Sequence, residues 1–114
     1  MYYIPNFKCY FRKTEYVQAG VFKSEDGREV KYPSKYKVEV DFDDIVGEIH
    51  TDIFFMEDLP KFQSIANKLI TTAKRTPLDI DIRIDKNQNG SCKIWLVNLN
   101  KVGNENFNTL DSKK

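Results

Sequence analysis

Leu59-Pro60-Lys61-Phe62-Gln63-Ser64-Ile65-Ala66-Asn67-Lys68-Leu69-Ile70-Thr71-Thr72-Ala73-Lys74 is the one segment of the chain with a helical pattern. Phe62, Ile65, Ala66, Leu69, Ile70 and Ala73 recur at i, i+3, i+4 and i+7 spacing, which places one apolar stripe on a helix. Asp58 is positioned to cap it, and Pro60 sits in the first turn, where a missing N–H costs little. Lys74 and Arg75 suit the negative end of the helix dipole, and Pro77 prevents continuation. A single amphipathic helix cannot bury its stripe alone, so it must cover a sheet or plug a barrel.

The segments on both sides of it alternate instead. Upstream, Phe7, Cys9 and Phe11 take turns with Lys8, Tyr10 and Arg12, as a half-buried strand does. The first strand is expected to continue to Val21 and Phe22, with Gly20 allowing a bulge. Ser24-Glu25-Asp26-Gly27 has turn chemistry and closes a hairpin towards Val30. After Pro33, Tyr36, Val38, Val40 and Phe42 alternate with Lys35, Lys37, Glu39 and Asp41. The third strand is expected to place Ile45, Gly47, Ile49, Thr51, Ile53 and Phe55 on one face, with Glu48, His50 and Asp52 opposite. Downstream of the helix, Leu78, Ile80, Ile82 and Ile84 alternate with acids and Arg83. A polar loop ending in Gly90 leads to a last strand with Cys92, Ile94 and Leu96 inward and Lys93, Trp95 and Val97 outward.

Three strands, one helix and two strands give a mainly β chain in the element order of the five-stranded OB-fold barrel, with the helix between strands three and four. A sheet crossed by one helix is the alternative architecture. The expected division is one domain over residues 1–102 and a loose polar tail over residues 103–114. No basic leader, long apolar run or metal-type cysteine spacing is present, so a cytoplasmic protein with reduced, buried Cys9 and Cys92 is expected.

The 114 residues carry a net charge of +1, but the charges are sorted along the chain. Residues 1–37 hold eight Lys/Arg against four acids, whereas residues 38–60 hold eight acids and no Lys or Arg. This sorting gives a basic and an acidic surface and favours an oriented partner.

Enzyme chemistry finds little purchase. The lone His50 shares a strand face with Glu48 and Asp52, which alternation alone explains. Asp79, Asp81 and Asp85 read as a solvated strand face rather than a cation site. No phosphate-binding, nucleophile-elbow or zinc-protease motif is present. The stronger pattern is cations among aromatics: Lys8, Tyr10, Arg12 and Lys13; Lys23, Arg28, Lys31, Tyr32, Lys35, Tyr36 and Lys37; and Arg83, Lys93 and Trp95. Cations track phosphates while rings stack on unpaired bases, so this pairing suits single-stranded nucleic acid. Tyr36 keeps phase with the core, whereas Tyr10 and Trp95 do not and are candidates for exposure. The nucleic-acid-binding candidates are therefore Tyr10, Arg12, Lys13, Lys23, Arg28, Lys31, Lys35, Lys37, Lys93 and Trp95.

Over roughly residues 7–102 the chain resembles the small single-stranded DNA-binding proteins encoded by bacteriophages and related mobile elements. The likeness rests on Val21-Phe22-Lys23-Ser24-Glu25-Asp26-Gly27-Arg28-Glu29-Val30, on Tyr36-Lys37-Val38-Glu39-Val40-Asp41-Phe42, and on the helix and closing hairpin that follow. It implies a non-catalytic, sequence-tolerant protector of exposed strands in replication or recombination, acting as a homo-oligomer. It implies no cofactor, no membrane and no small-molecule substrate. The end of the chain, Asn108-Thr109-Leu110-Asp111-Ser112-Lys113-Lys114, departs from the acidic tail of cellular members, so recruitment through it is not expected. The competing reading is a protein-interaction module or inhibitor that works through acidic residues 39–58.

Overall fold

The computed structural model describes residues 1–88 and 90–107. Its longest element is β1 (Tyr2–Val17), which serves two partners along its length. The second half pairs antiparallel with β4 (Lys35–Asp43), and the first half pairs antiparallel with β6 (Pro77–Lys86). A register shift near Arg12 separates the pairs of Phe11 and Lys13 with β4. A second shift, between Ile4 and Phe7, surrounds Asn6 at φ 55°. Asn6 is fixed there by Asp81, which accepts its backbone N–H at 2.9 Å, and by Asp79, which accepts its side-chain amide at 3.1 Å. Bulges bend a strand and raise its twist, and they let β1 turn from one neighbour to the other.

β5 (Ile49–Glu57) pairs with β4, and β7 (Cys92–Val102) pairs with β6. One parallel bridge, Phe55 to Trp95, joins β5 to β7 and partly closes the sheet into a ring. α1 (Pro60–Ile70) connects β5 to β6. Its Phe62, Ile65, Ala66 and Leu69 join Val38, Val40, Phe54, Met56, Ile80, Leu96 and Leu99 in one buried cluster. Four of the six residues that periodicity assigns to the stripe thus meet the inward faces of the ring strands, whereas Ile70 and Ala73, also expected there, are exposed.

The chain is mainly β, but eight strands among the described residues replace the expected five. β2 (Gly20–Lys23) and β3 (Glu29–Tyr32) form a separate two-stranded hairpin rather than a continuation of β1. Gly27 at φ +87° makes its turn. β8 (Glu105–Asn106) adds a short strand to the edge of β7. Residues 103–107, expected to be loose, fold back: Phe107 packs on the core and its N–H bonds Asn100 at 2.9 Å. The rest of the expected tail, residues 108–114, lies outside the described residues.

Three further expectations are corrected. α1 ends at Ile70, and its N-cap is Leu59, with no side-chain cap. Asp58 instead accepts hydrogen bonds from Ser34 (2.6 Å) and Tyr16 (3.0 Å), tying the helix entry to β1 and to the β3–β4 link. On β5 the faces are reversed: Phe54 and Met56 are buried, while Ile45, Ile49 and Ile53 are exposed. Pairing with β4 decides this, because Phe54 lies opposite buried Val38 and Met56 opposite Tyr36. A slip of one residue moves every side chain to the other face. Cys9 is buried as expected, but Cys92, near the mouth of the β6–β7 loop, is exposed; both are free. Burial pushes the Cys9 thiol up to about 12, so it stays protonated.

Candidate nucleic-acid interface

Cross-strand partners share a face, so the register alone lays out a row around the outside of the ring. Glu15 lies opposite Lys37, Lys37 opposite Phe55, Phe55 opposite Trp95, and Trp95 opposite Arg83. The side chains in this row make contact. The rings of Phe55 and Trp95 are 6.0 Å apart at 54°. The Arg83 guanidinium lies 5.5 Å from the Trp95 centroid. Lys93 Nζ sits 5.2 Å from Phe55 and 5.7 Å from Trp95, and Lys35 Nζ sits 5.5 Å from Phe55 and 5.6 Å from Tyr32. Such contacts draw a cation towards the negative face of a ring.

Partial burial lowers the Lys35 ammonium from its ordinary value, and the like charges of Lys93 and Lys37 lower it further. Lys37 has Glu15 at 3.6 Å and Arg83 has Asp85 at 3.2 Å. No acid is paired with Lys35 or Lys93 among the described residues. An anion placed here would relieve repulsion as well as gain attraction. Above this patch the β2–β3 hairpin brings Phe22 and Tyr32, whose rings are 6.1 Å apart. Together with Val17, Lys35, Lys37 and Phe55 they line a shallow depression of about 420 Å³.

Of the ten sequence candidates, Lys35, Lys37, Lys93 and Trp95 come together in this patch. Lys23, Arg28 and Lys31 are exposed on the adjoining hairpin, where Arg28 is engaged by Asp26 at 3.0 Å. Lys13 is exposed on β1 and borders Lys37, Glu39 and Ile53. Arg12 is spent within the fold: its Nε donates to Glu39 at 2.9 Å and its Nη1 to Asp41 at 3.1 Å. Tyr10 is 44% exposed but stands apart, beside Asp41, Asp43 and Arg75. Phe55, Phe22 and Tyr32 complete the patch without having been among the candidates. Phe55 is missed because Ile53-Phe54-Phe55-Met56 is apolar in both phases, so alternation cannot say which ring faces out.

The remaining chemistry is sparse. Asp44, Glu48 and His50 offer ligand atoms within 4.8 Å of one another at the β4–β5 turn. Asp44 is already engaged there, by His50 at 2.8 Å and by the N–H groups of Val46 and Glu48, each at 2.9 Å. Asp79 and Asp81 are occupied by Lys8, Asn6, Asn98 and Asn100. No helix among the described residues is long and apolar enough to cross a membrane. The chain matches no protein-family model, no curated protein and no solved structure.

Proposed function

We propose that this chain is a non-catalytic, sequence-tolerant single-stranded DNA-binding protein whose ring is an OB-fold barrel. The strand cycle β1–β4–β5–β7–β6, with α1 between β5 and β6, supports the barrel reading. On that reading β2 and β3 are an elaborated loop between the first two barrel strands. Lys35, Lys37 and Phe55 then fall on the second and third strands, where that fold binds oligonucleotides. Arg83, Lys93 and Trp95 adjoin them from the fourth and fifth strands, near the loop that joins these. The observation that carries the function is the row Lys37–Phe55–Trp95–Arg83, with Lys35 and Lys93 over its rings. Ammonium groups spaced among flat rings meet phosphates and unpaired bases at once.

The likeness to phage-encoded binders belongs to the same proposal. So do a role in replication or recombination, a cytoplasmic location and assembly as a homo-oligomer. The competing acidic module is weakened because Glu39 and Asp41 are paired with Arg12 and Asp58 with hydroxyls. Fluorescence anisotropy with labelled oligothymidine, against a duplex of equal length and over a salt series, tests the proposal. Single strands are expected to bind more tightly, with log K falling linearly in log salt. A preference for duplex, or an affinity indifferent to salt, overturns it.

A further inference from the structure

The β4–β5 turn presents an apolar tip that no other described residue covers. Ile45 is fully exposed and Val46 is 75% exposed. Lone apolar side chains on a surface are ordinary, but two in succession at the apex of a tight turn are not what the turn itself requires. The turn is well braced. The Asp44 N–H donates to the Glu48 carbonyl at 2.9 Å, Gly47 takes φ +87°, and the Asp44 carboxylate accepts two backbone N–H groups and His50. A braced loop loses little conformational freedom on docking. Asp43 and Glu48 flank the apolar pair and make no ion pair among the described residues.

The depression beside the β2–β3 hairpin is its chemical complement: Phe22, Tyr32 and Phe55 for the apolar pair, Lys35 and Lys37 for the acids. A chain cannot fill its own depression. Lys35 and Asp43 stand at opposite ends of β4, about 26 Å apart at roughly 3.3 Å per residue. We propose that the tip of one copy, Ile45 and Val46, docks in the depression of a second copy, with Asp43 and Glu48 facing Lys35 and Lys37. Two different surfaces meet in this contact, so it is heterologous and the joined pair keeps one free tip and one free depression. Assembly therefore continues into a ring or an open chain. The contact occupies Lys35, Lys37 and Phe55 of the candidate nucleic-acid interface, so a docked tip and a bound strand compete for them, and the contact is read with no nucleic acid present.

Light scattering over a concentration series, with no nucleic acid present, tests it. The unaltered chain is expected to show a mass that rises with concentration. Ile45→Asp combined with Val46→Asp removes the tip, and Lys35→Glu combined with Lys37→Glu removes the depression. Each variant alone is expected at monomer mass. An equal mixture retains one tip and one depression per pair, so it is expected to reach twice the monomer mass and stop. Circular dichroism checks that each variant is folded, and Lys35→Gln with Lys37→Gln replaces the reversal if that variant is not. A chain that stays monomeric at every concentration, a folded variant that still assembles, or a mixture that fails to pair overturns the proposal.

Discussion

Phe55 on β5 and Trp95 on β7 are the two residues of the bridge that closes the ring, and their rings meet on its outer wall. Closure and the candidate binding patch therefore depend on the same pair. Trp95 is half-buried beneath Arg83 and Lys93 rather than packed in the core.

Trp95→Ala is expected to weaken binding of oligothymidine by about 1–3 kcal/mol, the usual worth of one stacked base. Its cost in folding should stay below the roughly 3–5 kcal/mol of a core aromatic. Titration by anisotropy and urea unfolding read the two separately. Trp95→Phe should retain most of the affinity, since a flat ring remains.

Arg12 and Lys93 are both basic residues within two positions of an aromatic in the sequence, yet they should behave differently. The Arg12 guanidinium is held by Glu39 and Asp41, whereas Lys93 has no acid paired with it among the described residues. Lys93→Ala and Lys35→Ala are each expected to flatten the slope of log K against log salt by about 0.7, the value for one lost phosphate contact. Arg12→Ala should leave that slope unchanged. An Arg12 variant with a flattened slope would return that residue to the binding surface.

Four exposed or half-exposed carboxyls contribute to the acid limb of stability. Asp26, Asp41, Asp44 and Asp58 are held below the ordinary aspartate range, chiefly by hydrogen bonds from Ser24, Thr51, His50 and Ser34 respectively. The unfolded chain takes up these protons first, so the stabilisation is present above the ordinary value of about 3.9 and disappears as pH falls through the lower folded values. Urea unfolding from neutral pH down to about pH 2 should show this decline. Asp58→Asn should make the decline shallower.

Leu69 and Ile70 are neighbours on α1 with opposite environments, 0% and 66% exposed. Leu69→Ala is expected to cost about 2–5 kcal/mol of stability through the cavity it leaves. Ile70→Ala should change stability by less than about 0.5 kcal/mol. Equal effects in chemical denaturation would contradict this assignment of the helix face.

Elements whose apolar pattern is local and single-phased are legible without any tertiary contact. Val38 and Val40 alternate with charged residues, as do Ile80 and Ile82, so only one face of β4 or β6 can enter a core. Phe62, Ile65, Ala66 and Leu69 mark the helix in the same way, and the phase of Leu96 turns Trp95 outward. Tertiary structure alone decided the rest. The run Ile53-Phe54-Phe55-Met56 fits either face, and pairing Val38 with Phe54 chose Phe54 for the core and left Phe55 for the surface. The fate of Arg12 depended on Glu39 and Asp41, which only the β1–β4 register brings within reach. Asp58 looked like a helix cap until Ser34 and Tyr16 converged on it from other segments. Periodicity reports which face of a segment is apolar, but partners far apart in sequence decide what that face meets.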